Sequence, residues 1–309
     1  MQQGSVRKIV VVGGANTDIA GRSTAPLVAS DSNPGHISRS AGGVGRNIAE
    51  NLARLGASVS LLTAFGDDSP ARELAHGCSE IGIDISLCVT VPGVPGSVYL
   101  AVLDDTGDMA VAINDMRALD ALTPATVLQR KAALNAAALV VLDANLPEKT
   151  IHALAEEIGA PLMLDPVSVA KAPRTRAVLP KLACVKCNAA EAEVLLNAAE
   201  GTAAADLAMA LHEAGAAVAI VTDGPRGVGF ASASESGHAD CPQVTIANAT
   251  GAGDAFSAGV AFALAEGHGA AQAVALGSAL AALALESEST VSSRVTPDVV
   301  VDIRRSWVE

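Results

Sequence analysis

Hydrophobic residues along this chain follow two patterns that alternate through most of the sequence. Short runs of aliphatic and β-branched residues occupy positions 8–13, 58–63, 139–143, 161–165 and 218–222. An uninterrupted apolar run of this length is typical of a central parallel strand, because helices cover both faces of such a sheet. The runs therefore predict a mainly parallel sheet.

Between these runs, apolar residues recur at the spacing of an α-helix. The helical patterns cover 45–55, 70–81, 125–136, 149–158, 189–199 and 204–214. Strands and helices that alternate in this way are typical of an α/β fold built from βα units. Ligands of such folds bind beyond the carboxyl ends of the strands, so we expect the functional site at that edge.

Two stretches depart from the alternation. Segment 20–40 contains Pro26 and Asn33-Pro34-Gly35 and shows little helical periodicity, whereas segment 97–113 has two β-rich arms around Asp104-Asp105-Thr106-Gly107. The second pattern predicts a hairpin. Together the segments could form a small sheet, either as a lid over the site or as an edge of the main sheet. With no linker-like stretch, we expect residues 1–309 to form one domain with a lid.

Composition narrows the classes of partner. The chain carries a net charge of −13, and such an acidic surface repels phosphate backbones. We therefore expect neither a nucleic acid nor an anionic membrane as partner, although backbone amides can still bind a phosphate locally. Five cysteines without a recognisable export segment predict free thiols and a cytoplasmic protein.

Two apolar features could be mistaken for special sites. Cys184 and Cys187 have C-x-x-C spacing, but a zinc site needs further soft ligands and none lies nearby in the sequence. We expect them in a buried strand. The Ala-rich stretch 270–285 is shorter than the ~20 residues that span a bilayer, so it predicts a core helix.

The most informative stretch reads N-A-T-G-A-G-D-A-F-S-A-G at positions 248–259. Gly251, Ala252 and Gly253 predict a tight turn, and Asp254 is expected to open a helix that extends to Ala265. Small residues and a helix N-terminus direct backbone N–H groups at one place, which suits a transferring phosphoryl group. Asp254 beside it could accept a proton from an attacking hydroxyl. The alternative is a simple helix cap.

Further motifs extend along the chain in a fixed order. They are G-G-A-N-T-D at 13–18, A-G-G-V-G-R-N-I-A at 41–49, K-C-N-A-A-E at 186–191 and T-D-G-P-R-G at 222–227. With the 248–259 stretch, they resemble the signatures of the ribokinase-like (PfkB) family of sugar and nucleoside kinases. The resemblance implies a three-layer α/β/α sandwich with a mostly parallel central sheet and a small β-sheet lid. The 42–47 stretch does not match a dinucleotide fingerprint, so an NAD-dependent oxidoreductase is weakly supported.

The resemblance also implies roles for individual residues. Asp254 would be the catalytic base, beside the turn amides. A sugar or nucleoside would bind through an N-x-D motif, a glycine turn and residues of the lid. The implied catalytic group is Asp254, Gly253, Ala252 and Gly251, and the implied substrate-binding residues are Asn16, Asp18, Gly42, Gly43, Asn47 and Asn114.

ATP and magnesium are the cofactors that the family implies. The ATP-binding residues would be Asn188, Thr222, Gly224 and Gly227, together with Gly251 and Gly253. Glu191 would hold magnesium through water, which that ion retains. Asn188 and Glu191 also match a capping box, and both roles can coexist. Where many relatives carry an Asp that helps bind a monovalent cation, this chain has the neutral Asn248, which argues against potassium activation. Lys171 is a further candidate at the substrate.

Within the family, the chain most resembles the branch that phosphorylates pseudouridine. The strings that carry this resemblance include A-I-N-D-M at 112–116 and D-P-V-S at 165–168. The alternatives are a kinase of ribose, of adenosine or inosine, or of a keto-sugar, and a catalytically silent nucleoside-binding protein. The β-rich lid further predicts a homodimer formed through the lid.

Overall fold

The computed structural model describes residues 7–306, and its strands form one large and two smaller sheets. The strands are β1 (Lys8–Val12), β2 (Asn16–Ser23), β3 (Gly35–Gly42), β4 (Ser58–Leu62), β5 (Ala64–Phe65), β6 (Val89–Thr90), β7 (Val98–Leu103), β8 (Met109–Asp115), β9 (Leu139–Asp143), β10 (Leu162–Asp165), β11 (Cys184–Asn188), β12 (Val218–Thr222), β13 (Val228–Ser232) and β14 (Ser236–Ala239).

The large sheet has eight strands in the order β14-β13-β12-β11-β10-β9-β1-β4. From β12 to β4 every pairing is parallel, and β13 and β14 add an antiparallel edge. The apolar runs recognised in the sequence are β1, β4, β9, β10 and β12, of which β4 is an edge strand. The side chains of β1, β9 and β10 are buried on both faces, as a covered parallel sheet requires. The prediction of a mainly parallel sheet is confirmed.

Helices lie on both faces of this sheet. They are α1 (Val44–Arg54), α2 (Ser69–Glu80), α3 (Pro124–Leu128), α4 (Lys131–Asn135), α5 (Glu148–Glu157), α6 (Ala189–Leu196), α7 (Ala204–Glu213), α8 (Ala252–Ala265), α9 (Ala270–Leu285) and α10 (Pro297–Ser306), with 3₁₀ segments at Arg117–Ala121, Ala172–Lys181 and Gly224–Arg226.

Alternate residues of β1 show how the layers are held together. Ile9 and Val11 belong to a core with α1, α2, α8 and α9, whereas Val10 and Val12 belong to a core with α3 to α7. Because successive strand residues point to opposite faces, one strand contributes to both cores. The result is the expected three-layer α/β/α sandwich.

A separate four-stranded sheet, which we call the small sheet, has the order β3-β2-β7-β8. Its β7–β8 pair is the predicted hairpin, and segment 20–40, for which little helical periodicity and a place in a small sheet were expected, contains no helix and contributes to β2 and β3. The chain there extends β2, which begins at Asn16, and then enters β3 at Gly35. The two strands pair antiparallel along their full length, and β2 also pairs with β7 in parallel.

Several local expectations are corrected or confirmed by the helices and strands. The pattern at 125–136 is not one helix but two short ones, because Arg130 lies between them and donates to the carbonyl oxygens of Thr126 and Leu87. Cys184 and Cys187 lie in the buried strand β11, and all five cysteines, which fall within the described residues, are free thiols. Stretch 270–285 is the core helix α9. Within residues 7–306, no helix has both the length and the apolar character needed to cross a bilayer.

Candidate functional site

The carboxyl ends of the parallel strands carry polar side chains that meet at one edge of the large sheet. β9 ends at Asp143, β10 at Asp165, β11 at Asn188 and β12 at Thr222. Asp143 is fully buried and accepts a hydrogen bond of 2.8 Å from the backbone N–H of Gly14, which follows β1. The site therefore lies where parallel α/β sheets bind their ligands.

The helix that carries Asp254 begins earlier than the sequence suggested. α8 starts at Ala252 with Gly251 as its N-cap, so Asp254 lies in the first turn and is not the residue that opens the helix. Gly251 has φ +84°, and a Cβ atom there would lie 2.2 Å from the carbonyl oxygen of Thr290. Glycine is required at this position both by the backbone conformation and by the close approach of that carbonyl.

The carboxylate of Asp254 is half-buried and has a defined partner in α1. Asn47 Nδ2 donates a hydrogen bond of 2.7 Å to Asp254 Oδ2. Burial raises the pKa of Asp254 to about 7, the Asn47 hydrogen bond opposes that rise, and the negative charge of Asp165 adds to it. A carboxyl group with this pKa can exchange a proton near neutral pH.

Asn47 is itself held in one orientation by its neighbour. Arg46 is buried and donates from its guanidinium group to Asn47 Oδ1, to the Gly42 carbonyl oxygen at 3.1 Å and to Glu50 at 2.5 Å. With its oxygen occupied in this way, the amide of Asn47 presents its nitrogen to Asp254. Arg46 was not singled out in the sequence, although it stands inside the 41–49 motif.

Asp18 lies within β2, a strand of the small sheet. Asn16 Nδ2 donates a hydrogen bond of 2.6 Å to Asp18 Oδ1. Burial raises the pKa of Asp18, whereas the bond from Asn16 and the charge of Arg46 lower it. A Cβ atom on Gly42 would lie 2.2 Å from Asp18 Oδ2 and would clash with it. Glycine at position 42 therefore makes room for the carboxylate of Asp18.

Gly43 and Asn114, two further predicted substrate residues, lie in different surroundings. Gly43 has φ +96°, and its backbone packs against the carbonyl of Gly14. Asn114 lies on β8 opposite Tyr99, which in turn lies opposite Asp18, so all three face the same side of the small sheet. Asn114 is exposed.

Asn188 and Glu191 form the capping box that was considered as the alternative to a functional role. Asn188 Oδ1 accepts from the N–H of Glu191 and Glu191 Oε2 accepts from the N–H of Asn188, both at 2.9 Å. Burial raises the pKa of Glu191, and the negative charge of Asp165 raises it further.

One carboxylate oxygen of Glu191 is used in the capping box, and the chemistry of the other suits magnesium. Among residues 7–306, no group of three or more His, Cys, Asp or Glu side chains is arranged to hold a metal ion by itself. This fits an ion that keeps most of its ligands as water and phosphate oxygen, because magnesium is usually bound by one or two carboxylates with its hydration shell.

A pocket of about 390 Å³ opens beside the N-terminus of α8. Thr222, Gly224 and Gly253 line it, and the loop is closed by a hydrogen bond of 2.8 Å from the N–H of Asp223 to the carbonyl oxygen of Gly227. Asn188 is the register neighbour of Thr222. The predicted ATP-binding residues thus lie together. Ala252 of the predicted catalytic group lines the pocket too. The rest of the lining was not assigned a role from the sequence, and much of it is apolar: Pro225, Val228, Ile246, Phe256 and Leu285.

The comparisons with known proteins agree with this geometry. The model of the pfkB family of carbohydrate kinases matches residues 6–297, which is nearly the whole chain. The chain belongs to the PfkB family. It is therefore a sugar or nucleoside kinase, a phosphotransferase whose acceptor is a hydroxyl group.

Relatives within the PfkB family differ in their named substrates. Pseudouridine kinase from Escherichia coli is 36% identical over 288 residues and covers 91% of each chain. Guanosine-inosine kinase from Exiguobacterium acetylicum is 30% identical over 91% of this chain and 95% of its own. The crystal structure of ribokinase from Thermotoga maritima superposes with a TM-score of 0.84 at 24% identity, covering 97% of this chain and 99% of that one. The fold is ribokinase-like.

The PfkB site also contains residues that sequence reasoning missed. Lys186 is buried in β11 and its Nζ lies 3.3 Å from Asp165 Oδ2, which also accepts a hydrogen bond of 2.8 Å from Ser257 Oγ. The signal was present in the sequence, since a lysine inside an otherwise apolar buried strand needs a buried partner.

Lys171 lies at the same edge of the large sheet, near the end of β9. Its Nζ donates a hydrogen bond of 2.5 Å to Asn145 Oδ1, and a Cβ atom on Gly14 would lie 3.1 Å from Asn145 Nδ2. Burial lowers the pKa of Lys171, and the charge of Asp143 opposes that shift. The pair therefore lies close to the strand end that leads to Asn16, and Lys171 is not a freely solvated side chain.

Proposed function

We propose that this PfkB kinase transfers the γ-phosphoryl group of ATP to the 5′-hydroxyl of pseudouridine and so forms pseudouridine 5′-phosphate. The observation that carries the proposal is the carboxylate of Asp254, whose pKa is about 7 and which lies at the N-terminus of α8. A proton acceptor and an anion-binding helix end are thereby adjacent, as phosphoryl transfer requires.

In the proposed reaction, Asp254 accepts the proton of the 5′-hydroxyl as its oxygen bonds to the γ-phosphorus. The bond from that phosphorus to the β,γ-bridging oxygen breaks, and ADP leaves with the electron pair. The N–H groups of Ala252, Gly253 and Asp254 precede the first hydrogen bond of the helix, from Ala255 to Gly251. These donors are free of intrahelical partners and would stabilise the transferring group.

The remaining site residues have separate roles in this proposal. Asn188, Thr222, Gly224 and Gly227 would surround the nucleotide, and Glu191 would hold magnesium through water. When bound, magnesium neutralises the charge between the β- and γ-phosphates. Asp18 would bind the ribose 2′- and 3′-hydroxyls with the help of Asn16, since a carboxylate can accept a hydrogen bond from each member of a vicinal diol.

The small sheet would act as a lid within a single domain spanning residues 1–309. The lid segments at about 20–40 and 97–113 form most of its strands. Asp18 on β2 and Asn114 on β8 belong to the same strands, so the small sheet is connected directly to the proposed acceptor site. Closure over the acceptor would exclude water, which otherwise competes for the phosphoryl group.

The outer face of the small sheet supports a homodimer as part of the proposal. One face of the small sheet carries Asp18. The register places five apolar residues on the other face: Ile37, Leu100, Val102, Val111 and Ile113. Ile37 is 76% exposed and Ile113 is 63% exposed. Exposed apolar rows of this kind need covering, and a second copy would cover them symmetrically.

An acceptor panel tests the substrate. ADP release is measured with pseudouridine, uridine, inosine and ribose at equal concentrations. We expect pseudouridine to have the highest kcat/KM, and we expect uridine to be much poorer, because a site that uses the extra base N–H of the C-glycoside penalises its absence. If ribose were phosphorylated and pseudouridine were not, the proposed substrate would be rejected, whereas the proposed kinase activity would stand.

The variant Asp254→Asn tests the base and the alternative of a silent binding protein. Turnover should fall by ~10²–10⁴, the range for a positioned base, while calorimetry still detects pseudouridine binding. Because the native pKa of Asp254 is raised, the wild type loses stability as pH rises from the ordinary carboxyl range to about 7. The variant should lack that loss, and a cooperative unfolding transition would show that it is folded. Near-normal turnover would remove Asp254 from the role.

The dimer is tested by sedimentation of the wild type and of Ile113→Asp. The wild type should sediment as a dimer, and the charged variant should dissociate because a carboxylate in an apolar interface loses its solvation. The matched variant Met209→Asp, at an exposed apolar residue of α7 outside the small sheet, should leave the dimer intact. A monomeric wild type would contradict the proposal.

A further inference from the structure

Lys186 carries its charge inside the protein. Its side chain is 6% exposed, and the side chain of its partner Asp165 is equally enclosed. A buried ammonium group is costly to maintain unless the surrounding charges compensate for the loss of water. Proteins rarely keep such a group without a structural or chemical use, so its surroundings are informative.

The hydrogen bonds of Lys186 are incomplete. An ammonium group has three N–H donors, and within the described part of the chain Nζ donates one hydrogen bond, to Asp165 Oδ2. The carboxylate of Asp165 is held by two further hydrogen bonds. Ser257 Oγ donates one of 2.8 Å to the same oxygen, and the N–H of Val167 donates one of 2.9 Å to Oδ1. Asp165 is thus a rigid holder, and the remaining donors of Lys186 are available to a ligand.

Lys186 is directed toward the place where the phosphoryl group would be transferred. A Cβ atom on Gly253 would lie 3.4 Å from Nζ, and Gly253 both lines the nucleotide pocket and belongs to the first turn of α8. The ring centroid of Phe256, which lines the same pocket, lies 6.0 Å from Nζ. The ammonium group therefore approaches the cleft through the space left by the missing side chain of Gly253.

The charges around Lys186 keep it protonated. Burial acts to lower its pKa, but the attraction of Asp165, Glu191 and Asp254 outweighs burial and raises it. One cation thus faces both the proposed base and the proposed magnesium carboxylate. A phosphate oxygen entering between these groups would meet a preformed positive charge, which needs no reorganisation during the reaction.

We propose that Lys186 is a further catalytic residue, whose free N–H donors bind oxygen atoms of the transferring γ-phosphoryl group, and that Asp165 and Ser257 are its positioning residues. This inference rests on the proposed phosphoryl transfer but not on the identity of the acceptor. Lys186 keeps its protons throughout, while the acceptor proton goes to Asp254 and the electron pair leaves with ADP.

The first test compares Lys186→Met with Lys181→Met. Lys181 is an exposed lysine that pairs with Glu156 at 3.2 Å, so it controls for the substitution itself. We expect Lys186→Met to lower kcat by ~10²–10³, as removal of one donor to a transition-state oxyanion does, with KM for the acceptor nearly unchanged. Lys181→Met should match the wild type. An unchanged kcat in Lys186→Met would overturn the inference.

The second test needs no turnover. Calorimetry measures the Kd of ADP and of ADP with aluminium fluoride, a mimic of the transferring group, for both variants. Lys186→Met should lose about tenfold or more in affinity for the aluminium fluoride complex, the ordinary worth of a charge-assisted hydrogen bond, while its Kd for ADP stays within a few-fold. Equal losses for both ligands would assign Lys186 a structural role and reject the proposal.

Ser257→Ala provides a variant that leaves every charge in place. Loss of its hydroxyl frees Asp165, and we expect kcat to fall several-fold with the KM values unchanged. If Lys186→Met does not fold, an unaltered kcat and unaltered aluminium fluoride affinity in Ser257→Ala would reject the positioning role and the inference with it. A wild type that phosphorylates none of the acceptors would instead reject the proposed function, and the binding measurements would still decide whether Lys186 recognises the γ-phosphoryl mimic.

Discussion

Asn47 Nδ2 lies 2.7 Å from Asp254 Oδ2, although the two residues are 207 positions apart in the chain. The bond joins the first turn of α1 to the first turn of α8, so two sequence motifs act as one structural unit. Because Arg46 holds the amide of Asn47, the orientation of the proposed base depends on residues from the other end of the chain.

The first prediction concerns pH. Asp254 must be deprotonated to accept a proton, so kcat/KM should fall as pH drops through about 7. The hydrogen bond from Asn47 lowers that pKa, and Asn47→Ala should therefore move the acidic limb of the pH profile to higher pH. Asn135→Ala, which removes a remote bond to the N–H of Gly159, is the control and should leave the limb in place. An unshifted limb in Asn47→Ala would contradict the assignment.

The second prediction separates backbone conformation from steric fit. Gly251 and Gly267 share a left-handed φ, at +84° and +87°, but only the first has a neighbour within reach of an added Cβ. Gly267→Ala should cost about 1 kcal/mol of stability and keep its activity. Gly251→Ala must displace the carbonyl of Thr290 and should lose activity as well. Urea unfolding and steady-state kinetics of both variants would show this, and equal kinetics would refute it.

The third prediction divides the two roles of Glu191. Glu191→Gln keeps an oxygen that can accept from the N–H of Asn188, so the capping box and the Tm should be preserved. It removes the charge that would attract magnesium, and the magnesium concentration for half-maximal activity should rise. Glu193→Gln, on the exposed side of the same helix, is the control. A variant with a lower Tm and unchanged magnesium dependence would leave Glu191 as a cap alone.

The fourth prediction concerns monovalent cations. Asn248 Nδ2 donates a hydrogen bond of 3.2 Å to the carbonyl oxygen of Glu288, and its Oδ1 accepts from the N–H of Thr250. The neutral amide thus connects the loop before α8 with the loop after α9. Turnover should be equal in potassium and choline salts. In Asn248→Asp, which cannot donate to that carbonyl, turnover should depend on potassium. Strong potassium activation of the wild type would contradict this view.

Much of the large sheet could be predicted because each strand buries both faces, which leaves a run of apolar residues in the sequence. β2 and β3 leave no such run, since their residues are mostly small or polar. In addition, β2 pairs with β7, which lies far along the chain. The start of α8 was misplaced because Gly251 and Gly253, on either side of Ala252, are poor helix formers. Their conformation is set by Gly251 against Thr290.

The candidate site was predictable only where its residues are neighbours in sequence. The turn at 251–254 and the pair Asn188 and Glu191 are of this kind. Lys186, Asp165 and Ser257 come from two strands and a helix, and their contact depends on strand order, which local patterns do not specify. Arg46 was missed for a different reason, because its partners are neighbours in sequence but include backbone carbonyl oxygens, which leave no pattern of residue types.

Asp18 belongs to β2, and β2 is a strand of the small sheet itself. The carboxylate proposed to bind the sugar is therefore carried by the part of the molecule that would close over it. Binding of the sugar and closure of the small sheet would then be coupled, because part of the free energy gained when Asp18 binds the sugar diol would be used to close the sheet. A sugar that lacks one of these hydroxyl groups should then have both a higher KM and a lower kcat.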